Sequence, residues 1–207
     1  MRMTSALTLF CLFFALDGFA ASIAKETFRN DKVAITEETL QPGASEANPS
    51  RMPSMTVFVQ QGAIEVKSKK STPKEGEVLY RASDGGVLKN VGPADLKIVR
   101  IDLVGPGDAN STWGTTGLSP NYKLLFENQF VRAYDIKIPA GTDEPQHTHK
   151  NRVVVCLSGA QLMHLLPDGT KEPSTLETGV VGWRRGGTHI GRNLGKTDLW
   201  VIAVEPK

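Results

Sequence analysis

Short apolar and β-branched runs recur along the chain, separated by Gly, Pro, Asp and Asn, and almost nothing reads as helix. This rhythm predicts strands joined by turns. In the first half the predicted strands are Val33–Ile35, Met55–Gln60, Ala63–Lys67, Glu77–Arg81 and Leu96–Val104. In the second half they are Lys123–Glu127, Val131–Ile138, Val153–Leu157, Gln161–Leu166, Gly179–Trp183 and Leu199–Val204. Regular spacing of strands and turns predicts an all-β sandwich or barrel.

The two halves of the chain repeat each other. The run Val33–Gly43 (VAITEETLQPG) matches Val131–Gly141 (VRAYDIKIPAG), which lies 98 residues later. Further along, Asn90 matches Asn193 at a distance of 103 residues. Shared turn residues at a fixed distance are the mark of a duplicated domain, and the recurrence of the asparagine in both copies indicates a turn role.

The repeat and a change in composition predict the boundaries of the domains. Residues 105–120 are rich in Gly, Ser, Thr and Pro and are predicted to link a domain over 21–104 to a second over 121–207. The strand Leu199–Val204 is apolar on both faces, whereas a strand of an isolated barrel should alternate. We therefore expect one face to fill the barrel and the other to pack on the sister domain.

Composition is that of an ordinary globular protein, with 40% hydrophobic and 22% charged residues among 207. The net charge of +2 is too small to indicate nucleic acid or an anionic membrane surface as a partner. The one basic cluster, Lys67-Ser68-Lys69-Lys70, is predicted to be a solvated hairpin tip.

The N-terminus has the layout of a secretory signal peptide. Arg2 precedes an apolar run, Ala6–Leu16, and small residues follow, so cleavage is predicted after Ala20, with Ala24 as an alternative. The apolar run is short for a membrane span, which makes an uncleaved anchor the lesser interpretation. We expect a periplasmic or secreted protein with no stable membrane insertion after cleavage.

Removal of the signal would leave one cysteine, because Cys11 lies within it. Cys156 then has no intramolecular partner. It sits in a β-branched run and is predicted to be a buried structural thiol rather than a reactive one.

Three histidines in the second half form the candidate chemistry. His147 and His149 are two residues apart, so that on a strand both side chains point to the same side. A third, His189, follows a Gly-rich turn. Three imidazoles on two strands predict a metal site with open positions, as in catalytic rather than structural centres. Imidazole suits Fe, Zn, Cu and Ni better than Mg or Ca.

These residues stand in two spaced motifs. The first reads Gly141-x5-His147-x-His149-x2-Arg152-x6-Gly159, and the second places Gly186, His189 and Asn193 at x2 and x3 spacings. Together they resemble the motifs of the cupins, in particular the two-barrel bicupins. The resemblance covers residues 121–207, and 25–104 weakly through the repeat. It implies two tandem double-stranded β-helix (jelly-roll) barrels. The first barrel would be degenerate, because Pro49, Arg51 and Gly86 stand where the histidines should be.

The sequence departs from the cupin pattern at one ligand. The usual glutamate of the first motif is absent and Arg152 occupies its place, and arginine is always protonated and cannot bind a metal. The site would then have three neutral ligands, which is similar to the three-histidine iron dioxygenases among cupins and unlike the four-ligand manganese enzymes. An inward Arg152 could hold a substrate carboxylate; alternatively it faces outward or pairs with Glu144 or Asp135.

Four other residues are candidates for the site. His164 could act as an acid–base group or a fourth ligand if it points inward, although a structural histidine is the favoured interpretation. Arg184 and Arg185, beside Trp183, border the second motif and could bind an anionic substrate, or simply face solvent.

The resulting prediction is an exported bicupin that binds one divalent transition metal, with Fe first and Zn, Cu, Ni and Mn as alternatives. Its expected function is that of a metal-dependent, dioxygenase-like enzyme acting on a small anionic organic molecule. Arg152 and His164 are the candidate catalytic residues. The alternative is a non-catalytic envelope protein that binds a metal or a small ligand, and a sugar isomerase or epimerase ranks lower because it needs a general base. A monomer or a homodimer is expected.

Overall fold

The computed structural model describes residues 20–107 and 119–207, and in this part of the chain every regular element is a β-strand. Its residues form no helix able to cross a membrane. The predicted signal peptide lies outside the described residues apart from Ala20, and so does most of the predicted linker. In the first half the strands are β1 Ser22–Arg29, β2 Val33–Leu40, β3 Ser54–Phe58, β4 Ile64–Val66, β5 Lys69–Ser71, β6 Val78–Arg81, β7 Leu88–Asn90 and β8 Leu96–Leu103. In the second half they are β9 Tyr122–Glu127, β10 Val131–Ile138, β11 His147–His149, β12 Arg152–Ser158, β13 Ala160–Leu165, β14 Lys171–Leu176, β15 Val181–Arg184, β16 Gly187–Asn193 and β17 Leu199–Pro206.

Each half folds into a barrel of two antiparallel sheets, and the strand orders repeat. The larger sheets run β1-β2-β8-β3-β6 and β9-β10-β17-β12-β15. The smaller sheets run β5-β4-β7 and β14-β13-β16-β11, so the second has the same order with one more strand. Strand pairing is also preserved, because Met55 opposes Ile101 in the first barrel and the corresponding Val153 opposes Val204 in the second. The predicted all-β fold of two tandem barrels is confirmed.

The two five-stranded sheets share one hydrophobic core, which holds the barrels together. It includes Val33, Ile35 and Ile101 from the first half and Val153 and Val204 from the second. On β17 the side chains of Ile202 and Val204 enter this shared core, whereas Leu199, Val201 and Ala203 enter the interior of the second barrel. The strand is apolar on both faces for this reason, as expected from its sequence.

Aromatic pairs mark the rim of the shared core with an approximate two-fold symmetry. Phe28 stacks on Trp183 with ring centroids 6.5 Å apart, and Phe126 stacks on Tyr80 at 5.2 Å. Phe28 and Phe126 are 98 residues apart, and Tyr80 and Trp183 are 103 residues apart, so each pair joins the same two positions from opposite barrels.

Turn positions and the cysteine follow the sequence closely. Lys67 and Ser68 adopt φ values of 47° and 62° and form a two-residue hairpin tip between β4 and β5, whereas Lys69 and Lys70, also expected in the tip, belong to β5. The side-chain Nδ2 of Asn90 donates to the carbonyls of Leu40 and Ala94. The side-chain Nδ2 of Asn193 donates to the carbonyls of Ile138 and Thr197. The structural role of this asparagine is therefore confirmed.

Cys156 is 1% exposed and unpaired. Burial raises the pKa of its thiol to about 11, so it is the buried structural thiol that was predicted.

Candidate metal centre

Two paired strands of the second barrel bring the three histidines together. His147 and His149 alternate with Thr148 on β11, so both imidazoles point to the barrel interior. His147 lies directly opposite His189 in the β11–β16 ladder. The potential ligand atoms of the three residues all lie within 4.8 Å of one another, and they are the one such group among the described residues.

Hydrogen bonds fix the orientation of two of the rings. The Nδ1 atom of His147 is 3.0 Å from the carbonyl oxygen of Pro145, and that of His149 is 3.0 Å from the carbonyl oxygen of Lys150. Because a carbonyl oxygen only accepts, each Nδ1 carries the proton and each Nε2 presents a lone pair. Metal-binding histidines usually have such a partner on the other nitrogen.

The histidines are neutral across the physiological range. Burial lowers the pKa of His149 to about 2 and that of His189 to about 3. Burial lowers the pKa of His147 as well, and the positive charge of Arg152 acts in the same direction on all three. Neutral imidazole is the form that binds metals, so the residues present suit a transition metal ion.

A tyrosine and an arginine extend this centre. The Arg152 Nη1 atom donates to the Tyr122 hydroxyl at 2.7 Å, and that hydroxyl lies 3.2 Å from Nε2 of His147. Burial raises the pKa of Tyr122 to about 12, so the phenol keeps its proton. Arg152 is 9% exposed and its Nε donor has no hydrogen-bond partner in this part of the structure. The inward orientation considered for Arg152 is the one observed, and Asp135 instead accepts from Trp200.

His149 and His189 line a cavity of about 340 Å³ inside the second barrel. Arg152 and His164 line it, and the ring of His164 lies 4.7 Å from that of His189. Arg184 and Arg185 are exposed and lie at its mouth. Trp183, proposed from sequence as a substrate-binding residue, belongs to the shared core between the barrels instead, because alternate residues of β15 face opposite sides.

Comparison with known proteins identifies the fold. No protein-family model matches the sequence, and no curated protein matches it. Among solved structures, the cupin 2 conserved barrel domain protein from Leptotrichia buccalis superposes with a TM-score of 0.58 at 13% identity, over 91% of this chain and 90% of that one. The protein Ylba from E. coli gives 0.62 at 12% identity, over 94% and 86%. Oxalate decarboxylase from Bacillus subtilis, which has Mn(II) centres, gives 0.59 at 12% identity, over 89% and 72%. The fold is that of the cupins.

Within this cupin fold the structure adds a residue that the motif analysis considered only as a partner of Arg152. Glu144 lies three residues before His147, is 3% exposed, and places Oε1 3.5 Å from Nε2 of His147. Burial raises the pKa of Glu144 to about 7, against the opposing effect of Arg152. Gly191 leaves room for this carboxyl group, because a Cβ atom at position 191 would lie only 2.5 Å from Oε2 of Glu144. A carboxyl group therefore stands beside the histidines although the usual motif position holds Arg152.

Proposed function

We propose that the second barrel binds one divalent transition metal through His147, His149 and His189 and that the protein is a metal-dependent enzyme. The observation that carries the proposal is the convergence of three neutral imidazoles, two of them with Nδ1 held by a carbonyl oxygen, beside a cavity of the second barrel. A structural zinc site is closed by four protein ligands, whereas a catalytic one keeps a position open. Iron is the first metal to test because three neutral ligands on one face leave positions free for other ligands.

The bound metal would supply Lewis acidity and, as iron, reactivity toward O₂. The chain itself supplies the remaining functions. Arg152 carries a buried positive charge with an unpartnered donor toward the cavity, which suits an organic anion. Tyr122 holds a neutral hydroxyl between Arg152 and His147, and Glu144 is a carboxyl group on the same side. Dioxygenase chemistry on a small organic anion is accordingly the function we propose.

The first test is elemental analysis of the mature protein, purified without chelator, beside a His147→Ala/His189→Ala double variant. We expect one equivalent of transition metal in the wild type and none in the variant, with both proteins folded by circular dichroism. His164→Ala is the matched control, because His164 lies outside the triad, and it should keep the metal. Absence of metal from the wild type would overturn the proposal.

Turnover separates the enzyme from a binding protein. O₂ consumption should be followed in the iron-loaded protein with a panel of small carboxylic acids. Substrate-dependent consumption, lost in Arg152→Met, would support the oxygenase. Full occupancy by copper or zinc with no turnover would favour the non-catalytic metal-binding protein.

A further inference from the structure

We infer that the molecule bound beside this centre is an amphipathic organic acid, with a carboxylate between Arg152 and Arg184 and an apolar body in a chamber behind the histidines. This inference rests on the proposed function, because it names the substrate class of the same cavity. It is carried by the presence of buried apolar residues and two paired arginines in one cavity and by the comparison of the two barrels.

Much of the cavity wall is apolar and buried. Six of its apolar lining residues are at most 8% exposed. They are Ile136, Ile138, Val154, Leu162, Leu199 and Val201. Leu166 and Leu176, which are half-buried, extend the same lining. A small diacid would leave this surface uncovered, whereas a hydrocarbon or aryl group would remove it from water.

The first barrel shows why the chamber is open. Phe58 and Leu88 are 1% and 0% exposed and fill the interior of the first barrel, and Arg100 also enters it. Strand register places Cys156, Gly191 and Ala203 at the corresponding positions of the second barrel. Of these three only Gly191 lines the cavity, and Tyr134, which stands where the first barrel has Thr36, occupies space beside Ala203. The replacement of Leu88 by Gly191 is therefore the difference that opens the cavity wall.

The same cavity is lined by two arginines that face each other. Arg152 and Arg184 are direct partners in the β12–β15 ladder, and both line the cavity. Like charges directly opposite on neighbouring strands are unfavourable unless an anion lies between them. Within the described residues, the side chain of Arg184 donates to the carbonyl of its neighbour Trp183, at 3.3 Å.

The first barrel also shows what an arginine at this position can bind. Arg81 occupies the position of Arg184, opposite Ser54 instead of Arg152. It points inward and holds the carboxylate of Glu46 with two bonds of 2.5 and 2.6 Å. A carboxylate is therefore within reach of an arginine at this strand position.

Size agrees with one chain or ring of moderate length. The cavity volume of about 340 Å³ lies at the lower end of the range for small-molecule sites. The two arginines, the apolar residues and two histidines of the triad, His149 and His189, line one cavity. A ligand anchored by its carboxylate would extend its apolar body past them.

The test is a chain-length series measured by calorimetry on the anaerobic metal-loaded protein. We expect the Kd to fall about fourfold for each methylene from acetate through butanoate to hexanoate, with benzoate in the same range and oxalate weak. Arg184→Gln should weaken every member of the series by a similar factor. A flat series, or oxalate as the tightest ligand, would overturn the inference.

Filling the chamber gives an independent measurement. Val201→Phe adds volume from β17 at a residue that lines the cavity, and should remove the gain from butanoate to hexanoate while acetate binding persists. Val201→Ala is the control and should keep the full series. If Val201→Phe does not fold, Leu162→Phe provides the same narrowing from β13.

The two proposals fail separately. Metal binding with a flat carboxylate series would overturn the amphipathic substrate and leave the metal centre standing. A steep series in a wild-type protein that holds no metal would overturn the proposed enzyme and leave the ligand chamber.

Discussion

The two barrels share a frame but use their interiors in opposite ways. At equivalent positions the first barrel has Glu46 and the second has Glu144, and each backbone NH donates to the equivalent carbonyl, of Leu88 and Gly191 respectively. Glu46 is bound by Arg81, and Arg100 lies 3.5 Å away. The first barrel neutralises its buried charges internally, and the arginines lower the pKa of Glu46 despite burial.

The second barrel has lost that internal neutralisation. Ala203 replaces Arg100, and Arg184, at the position of Arg81, lies at the cavity mouth. Glu144 is left with an Oε1 atom that has no hydrogen-bond partner in the described structure and with a raised pKa. A buried polar atom without a partner is costly, and such sites cluster where chemistry occurs. The two barrels therefore keep the same packing face, while the interior of the second barrel is open to a ligand.

The largest expected effect distinguishes the two equivalent arginines. Arg81→Ala leaves the fully buried Glu46 without its main partner and should cost about 3–5 kcal/mol of unfolding free energy. Arg184→Ala removes an exposed side chain and should change it by about 0.5 kcal/mol or less. Urea unfolding of both variants measures the difference, and equal losses would contradict the contrast between the barrels.

The architecture was predictable because it depends on local signals. Short β-branched runs, turn residues and the 98-residue repeat predicted two all-β barrels, and the spacing of His147 and His149 placed two imidazoles on one side of a strand. These features rest on strand periodicity and on turn geometry, both of which a single sequence displays.

The remaining parts of the site depend on contacts across the barrel. On β12 both faces are apolar, since Val153 and Val155 enter the shared core while Val154 lines the cavity. The direction of Arg152 therefore has no signature in the sequence. Tyr122 begins a strand 25 residues before His147, and no spacing rule connects them. Glu144, close to His147 in sequence, was the one accessible signal, since it lies between two motif residues.

The second prediction concerns stabilisation by metal, which only the second barrel can receive. At a free zinc concentration of about 100 times the Kd, the wild type should gain about 2.7 kcal/mol of unfolding free energy. His149→Ala should gain nothing, because the triad is broken. Thermal unfolding with and without metal is the measurement. The matched change in the first barrel, Arg51→Ala, should leave the gain intact, and its loss there would contradict the assignment.

The third prediction tests the tyrosine beside the triad. Tyr122→Phe removes the hydroxyl that joins Arg152 to His147 while keeping the ring. This hydroxyl contacts Nε2, the nitrogen that the Pro145 carbonyl leaves for the metal, so in the apoprotein it competes with the metal for the same lone pair. We therefore expect the metal affinity of Tyr122→Phe to rise by about two- to tenfold, which is the worth of one hydrogen bond. Competition with a chromogenic chelator measures it. Tyr80→Phe in the first barrel is the control, and a loss of affinity in Tyr122→Phe would contradict the assignment of Nε2 to the metal.

The smallest expected effect is the pH dependence of the stability of the apoprotein. All four histidines lie in the second barrel, so their contribution to this dependence belongs to that barrel. Burial lowers the pKa of His149 to about 2 in the folded state, whereas the unfolded value is about 6.5. Below pH 6.5 the unfolded chain therefore binds a proton at His149, whereas the folded protein does not. This contribution to stability is complete above pH 6.5 and declines as the pH falls toward the folded value.

Between pH 7.5 and 5.5, His149 alone should cost about 1.4 kcal/mol of unfolding free energy. Glu144 has the opposite sign, because its raised pKa favours folding at low pH and that stability is lost as the pH rises from 4.5 to about 7. Because Glu144 is present in both proteins, its contribution to the pH dependence cancels to first order when the wild type is compared with His149→Gln. Urea unfolding of both apoproteins should show a smaller loss on acidification in His149→Gln, and Arg51→Gln should follow the wild type. If the unfolding free energy of all three proteins changed equally with pH, His149 would be protonated in the folded state, which would contradict a buried, neutral metal centre.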